Sequence, residues 1–149
     1  MKIVDSQVHM WGPNTPERPW APTSPDNKPH RERAFEREDL LAEMKAAGVD
    51  RVIIVPPGWE GHHNDRALEA AQRYPERFRV MGRFQLNLPE SREKVATWKQ
   101  QQGMLGMRLT FARVATLAPL QCIIQLDETF ASGKCTLARK CALRMSSNS

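Results

Sequence analysis

Apolar positions in the first 111 residues switch between short continuous runs and stretches of helical period. Residues 2–4 bring Ile3 and Val4 together, closed by Asp5, and predict a short first strand. Between Gly12 and Pro29 lie six of the eleven prolines, Pro13, Pro16, Pro19, Pro22, Pro25 and Pro29. Each fixes its own φ and pushes its predecessor out of the helical region, so the stretch reads as an extended loop. Residues 36–47 follow with Leu40, Leu41, Met44 and Ala47 on one helical face. Glu36, Glu38 and Asp39 fall in the first turn, and Gly48 is placed to end the helix. Arg51-Val52-Ile53-Ile54-Val55 is a β-branched run of the kind buried on both faces of a parallel sheet, and Pro56-Pro57-Gly58 stops it.

The pattern then repeats. Asn64 is placed to cap a helix running to about Tyr74, with Ala67, Leu68, Ala71 and Tyr74 inward and Pro75 just beyond. Residues 78–84 predict a third strand. Asn87-Leu88-Pro89 opens a third helix with Val95 and Trp98 inward and Gly103 at its end, and residues 104–111 predict a fourth strand. This order gives an α/β fold with about four parallel strands, three helices and right-handed crossovers. It fits an open doubly wound sheet or the N-terminal half of a (β/α)8 TIM-type barrel, which takes ~250 residues when complete. After Phe111 the pattern dissolves. Residues 115–126 are mostly apolar without a clean period, although Ile123 and Ile124 fit a further strand. Residues 139–149 are basic and then serine-rich. The expected organisation is an α/β unit over residues 1–111 and a divergent tail over residues 112–149.

Composition narrows the function classes. Of 149 residues, 40% are hydrophobic and 26% charged, which suits a soluble globular domain and excludes a disordered or collagen-like chain. No window approaches the ~20 apolar residues of a membrane span, so no membrane partner is expected. The opening Met1-Lys2-Ile3-Val4-Asp5 reaches a charge too early for a signal-peptide core. The net charge of +5 is uneven: residues 1–111 carry 17 Lys+Arg against 15 Asp+Glu, and residues 112–149 carry 5 against 2. No basic stripe marks a folded face, so no nucleic-acid partner is expected. Cys122, Cys135 and Cys141 match no common zinc spacing, and an odd count argues against a closed disulfide framework. Reduced thiols in a cytoplasmic chain are the expectation.

In parallel α/β folds, chemistry gathers where strands end. The first strand leads into Asp5-Ser6-Gln7-Val8-His9-Met10-Trp11, where period two would put Asp5, Gln7 and His9 on one side. The second leads into Gly58-Trp59-Glu60-Gly61-His62-His63-Asn64; the third ends near Arg83, and the fourth carries Arg108. Each has a plainer reading. A lone strand-end His is more often a hydrogen-bonded loop residue than a ligand. His62 and His63, if extended, would face opposite ways and otherwise flank a helix cap. Arg83 and Arg108 have the fork to grip a carboxylate, or they pair with acids within the sheet.

The segment Ile3 to Trp11 resembles the opening strand of the amidohydrolase-related family, which includes pyrone dicarboxylate lactonases and aminocarboxymuconate semialdehyde decarboxylases. The resemblance continues in Ala47-Gly48-Val49-Asp50-Arg51, Asn64-Asp65-Arg66-Ala67-Leu68, Tyr74-Pro75-Glu76-Arg77-Phe78 and Gly103-Met104-Leu105-Gly106-Met107-Arg108-Leu109. These five blocks fall in family order and cover residues 1–111. The resemblance implies a (β/α)8 barrel hydrolase, with either a divalent metal such as zinc or none. The family's first strand often carries His-x-His; here His9 matches the second imidazole and Gln7 stands at the first. An amide oxygen is a poorer zinc ligand than imidazole, so His9 alone remains as a metal ligand and less than stoichiometric zinc is expected. The family's remaining ligands and its general-base Asp come from later strands, and no matching motif follows Phe111.

The expected activity is hydrolysis of a C–O or C–N bond in a lactone-like, carboxylated small molecule. His9 and Gln7 would be its catalytic residues, and Arg108, Arg83 and Trp11 its substrate contacts. The alternative is a truncated, catalytically inactive half-barrel. A weaker one is a binding module acting through the basic tail residues Arg139, Lys140 and Arg144, where Phe130 is the only aromatic and a stacking platform is lacking. An unclosed sheet would also expose a strand edge and an apolar face, which favours a homo-oligomer.

Overall fold

The computed structural model describes residues 1–21, 28–85, 88–111 and 120–125. Among them the chain forms β1 (Val4–Val8), α1 (Arg37–Ala47), β2 (Arg51–Ile54), α2 (Asp65–Arg73), β3 (Phe78–Arg83), α3 (Ser91–Thr97), β4 (Met104–Phe111) and β5 (Leu120–Gln125). Single 3-10 turns follow β2 at Gly58–Glu60 and α3 at Trp98–Gln100. Cys135, Cys141, Phe130, Arg139, Lys140 and Arg144 lie outside the described residues, as does Asn87.

The five strands form one sheet in sequential order. A doubly wound sheet reverses its order at a switch point, whereas a barrel lays each strand beside the last. The helices also share one side. Leu40 and Met44 of α1, Ala67, Ala70 and Ala71 of α2, and Trp98 cluster with Val52, Ile54, Phe78, Val80 and Met104 of the sheet. Ile53, Val55, Met81 and Leu105 form a separate cluster from the alternate strand positions. Sequential order with one helical layer is the arrangement of part of a TIM-type barrel. β1 to β4 are parallel, as their helical crossovers require, whereas β5 pairs antiparallel to β4 from Phe111↔Leu120 to Gly106↔Gln125. Only residues 112–119 separate these two strands, fewer than the roughly dozen a parallel crossover needs, and an antiparallel return is what so short a connection permits.

Several local expectations are corrected. β1 does not close at Asp5 but runs on to Val8, because an edge strand with an open flank does not need apolar side chains to pair its backbone. α1 is capped where acidic residues begin it: the Asp39 carboxylate accepts the Glu36 N–H at 3.2 Å, and Gly48 ends the helix with φ 70°. Ala47, expected inward, is exposed. Val95 is 44% exposed, while Trp98 is buried. A seven-residue α3 that tightens into a 3-10 turn rotates its last residues away from the period of a longer helix. Nor is the apolar sheet face open at its centre, since Ile53, Val55, Met81 and Leu105 are all at most 9% exposed.

Candidate functional site

The parallel strands end together, and their ends place three basic side chains in one neighbourhood. Arg83 and Arg108 are register partners across β3 and β4, so their Cα atoms stand side by side. Arg83 alternates with Gly82 and shares the side of Met81, while Arg108 lies opposite Met107, whose side chain joins the helical layer. Both guanidinium groups therefore rise from the face opposite the helices. Arg83 Nε donates to the Pro56 carbonyl at 2.7 Å, which fixes the start of its fork. Burial, followed by repulsion from Arg108, lowers its pKa; burial also lowers that of Arg108.

His9 reaches this site from β1. The ladder between β1 and β2 continues past the end of β2 through the Val55 N–H to Val8 carbonyl bond at 2.8 Å. That brings His9 Nδ1 to 2.7 Å from the Val55 carbonyl. A carbonyl only accepts, so Nδ1 carries the proton and Nε2 keeps its lone pair. Burial lowers the His9 pKa, the Val55 hydrogen bond opposes this, and Arg108, Arg83 and His30 lower it further. The ring stands edge-on to Trp59, with centroids 6.0 Å apart.

Gln7 and Trp11 are placed elsewhere. The period-two reading of Asp5, Gln7 and His9 fails at a β-bulge: Asp5 pairs with Val52 and Val8 with Ile54, three residues of β1 spanning two of β2. The Asp5 carboxylate accepts the Gln7 N–H at 3.1 Å, and Gln7 is exposed. Among the described residues no hydrogen bond joins its side chain to His9. Trp11 is 1% exposed, donates Nε1 to the Arg33 carbonyl at 3.1 Å and packs against Phe35 and Trp59. So enclosed, it offers a substrate almost no surface; it anchors the long loop instead.

Glu60 is also structural. It is 6% exposed, accepts the Gly12 N–H at 2.7 Å and lies 3.5 Å from Arg18 and 3.7 Å from Arg66. With the Gly12 N–H and two arginines around it, this carboxylate ties the loop after β1 to the turn after β2. Nothing in the spacing of residues 58–64 announced this, because its partners are 42 and 6 positions away. A second residue the sequence left unassigned in this role is Asn64. No side-chain cap bond to α2 is formed; instead Asn64 Oδ1 accepts the Arg83 N–H at 2.8 Å and Nδ2 donates to the Arg83 carbonyl at 3.0 Å. The backbone that carries Arg83 is thereby clamped.

Among the described residues no group of three or more His, Cys, Asp or Glu side chains converges as a metal site. His9 has one ring nitrogen committed to a backbone carbonyl, and Arg108 and Arg83, the charged side chains that act on it, are cations. Among the described residues this donor set does not fit a bound zinc ion.

No family model matches the chain, and no curated protein matches it in sequence. Similar solved structures do exist. One is a crystal structure from Acinetobacter baumannii described as a probable 2-pyrone-4,6-dicarboxylic acid hydrolase with citric acid bound, with a TM-score of 0.56 and 19% identity. The match covers 73% of this chain and 38% of that one. Another is an apo structure from Agrobacterium tumefaciens, with a TM-score of 0.46, 24% identity, and coverage of 70% of this chain and 35% of that one. The chain thus spans little more than a third of the length of either structure. At 19% identity the likeness to the Acinetobacter structure is one of fold, and that fold agrees with the sequential, singly layered sheet described here.

Proposed function

We propose that the strand-end face binds a carboxylate-bearing, lactone-like small molecule and hydrolyses its ring C–O bond, as a hydrolase of the amidohydrolase-related type. The observation that carries this reading is the convergence of neutral His9 with the in-register Arg83 and Arg108 at the ends of β1, β3 and β4. Two half-buried guanidinium groups side by side repel each other, and an anion between them relieves that repulsion. A planar carboxylate matches their forks. The Acinetobacter neighbour, described as a probable 2-pyrone-4,6-dicarboxylic acid hydrolase with citric acid bound, is consistent with such a ligand.

In this reading His9 Nε2 takes a proton from water as the water oxygen bonds to the lactone carbonyl carbon. The ring C–O bond then breaks, and the imidazolium returns the proton to the leaving oxygen. The bond from Nδ1 to Val55 holds the ring in the tautomer this requires. The cationic pair stabilises the charge that develops on the carbonyl oxygen, an effect worth several kcal/mol when the groups are preorganised.

The test is an assay of carboxylated lactones with His9→Asn, whose amide keeps a donor near the Val55 carbonyl but removes the Nε2 base. Loss of about 10²-fold or more in kcat with binding retained is expected. The wild-type rate should fall on the acid side, below the ordinary imidazole pKa, because the lowered pKa keeps His9 neutral above it. Unchanged kcat in His9→Asn removes the reading. A second reading, binding without turnover, is favoured by Glu60, whose engagement with Gly12, Arg18 and Arg66 leaves that carboxylate unsuited to act as a base. Tight binding with no hydrolysis by the wild type would select it.

A further inference from the structure

A cleft of about 530 Å³ opens between the long loop after β1 and the 3-10 turn after β2. That volume is within the range of pockets that take small ligands. Its lining includes Trp20, Pro29 and Trp59, which are apolar, and Lys28, His30 and Glu32, which are polar. The two indoles are fixed in place. Trp20 donates its backbone N–H to Asn14 Oδ1 at 2.8 Å, and the next residue, Ala21, donates its own to the Trp59 carbonyl at 2.7 Å. Trp59 in turn packs edge to face on Trp11, with centroids 5.6 Å apart.

One of the four tryptophans lacks a hydrogen-bond partner. Trp11, Trp20 and Trp98 donate Nε1–H to the carbonyls of Arg33, Gly12 and Gly106. Trp59 is 4% exposed, and its Nε1–H meets no acceptor. A buried indole N–H ordinarily has a partner, and leaving it unpaired is costly. An oxygen brought through the cleft supplies that partner, with the lining side chains giving slightly to admit it.

The rest of the lining limits the molecule that carries this oxygen. Lys28 and Glu32 are exposed, opposite in sign and joined by no ion pair, so neither an anion nor a cation is favoured. The His30 ring stands edge-on to Trp11 at 5.2 Å and is already engaged. With a single buried donor on offer, a polyol would bury hydroxyls that find no partner. Trp20 is partly buried and, among the described residues, touches no other aromatic ring, which leaves its face for a ring from outside.

We propose that this cleft binds an uncharged aromatic ring carrying one oxygen acceptor, the ring against Trp20 and the oxygen on the Trp59 indole N–H. The site adjoins the strand-end face, because Trp59 also stands edge-on to His9. It needs neither the arginine pair nor turnover, and so stands independently of the hydrolase reading.

Acetophenone, with toluene as the ring lacking an acceptor, probes this by NMR of the four indole N–H signals in the full chain. Acetophenone is expected to move the Trp59 proton downfield, to shift Trp20 and to leave Trp98 in place. Toluene should bind about fivefold more weakly, the scale of one net hydrogen bond, without the downfield movement. Trp20→Leu should weaken acetophenone about fivefold, with unchanged Trp11 and Trp98 signals showing that the chain is folded. Trp59→Phe keeps a ring but removes the donor, and should bring acetophenone and toluene to equal affinity. Equal affinity already in the wild type would overturn the proposal, as would silence at Trp20 and Trp59. Benzoate bound at Trp20 more tightly than acetophenone would overturn the uncharged ligand. Movement of Trp98 in step with Trp20 would show general partition onto apolar surface and overturn the site.

Discussion

Single side chains here are decided by what their backbone neighbours offer. His9 stood out in the sequence as a strand-end imidazole, but its tautomer follows from one carbonyl, Val55, brought alongside by the β1–β2 ladder. Gln7 was expected to share its side; the ladder shifts register between Asp5 and Val8, and Gln7 stands exposed while His9 is partly buried. Glu60 shows the opposite case, a residue with no visible signal whose placement holds two loops together. Removing its carboxylate would leave the Gly12 N–H and two arginines facing a cavity. Glu60→Ala is expected to destabilise the chain by about 2–3 kcal/mol, below the full cost of breaking a buried pair. The discount reflects Arg18 and Arg66, which keep 21% and 32% of their side-chain surface in water. Glu60→Gln, which can still accept from Gly12, should lose less. Equal midpoints for wild type and Glu60→Ala in urea unfolding would refute the role.

Elements were more legible than residues. The run at 51–55, the acidic start and glycine end of α1, and the apolar period of α2 each follow from local chemistry, and each is found with ends shifted by a residue or so. α3 was the exception, because a two-turn helix carries too few positions for its period to fix a face. The junction of α2 with β3 was also hidden. The helix begins at a residue suited to capping, yet Asn64 spends both side-chain groups on Arg83, nineteen positions away. Asn64→Ala should cost about 1–3 kcal/mol, since it strands a backbone donor and acceptor in a half-buried setting. Asn64→Asp keeps the acceptor for the Arg83 N–H and should fall between. Hydrogen exchange at the Arg83 amide gives the direct reading, and protection unchanged in Asn64→Ala would show that the clamp does not hold that strand end.

At the scale of the whole molecule, β1 forms one edge of the sheet, and among the described residues no strand pairs with its outer flank over Val4–Val8. Such edges template pairing with another chain. Association is therefore expected, read as a rise in sedimentation coefficient between low and high micromolar concentration; a constant monomer value would count against it. Ile53, Val55, Met81 and Leu105 are buried and offer no exposed apolar surface for that contact. By itself the sequence determined the α/β class, the number of parallel strands and the part of the core carried by β2 to β4 and α2, because periods of 2 and 3.6 are written in adjacent residues and depend on little else. The choice between a doubly wound and a barrel-like sheet was open, since helical crossovers of the same length serve both. Only the tertiary structure decided it, by setting β1 to β4 in sequential order beneath one layer of helices. Tertiary structure also decided the site. Whether His9, Arg83 and Arg108 meet, and whether Gln7 joins them, depends on strand register and on a single bulge. Register arises from pairing between segments tens of residues apart, and no local pattern encodes it.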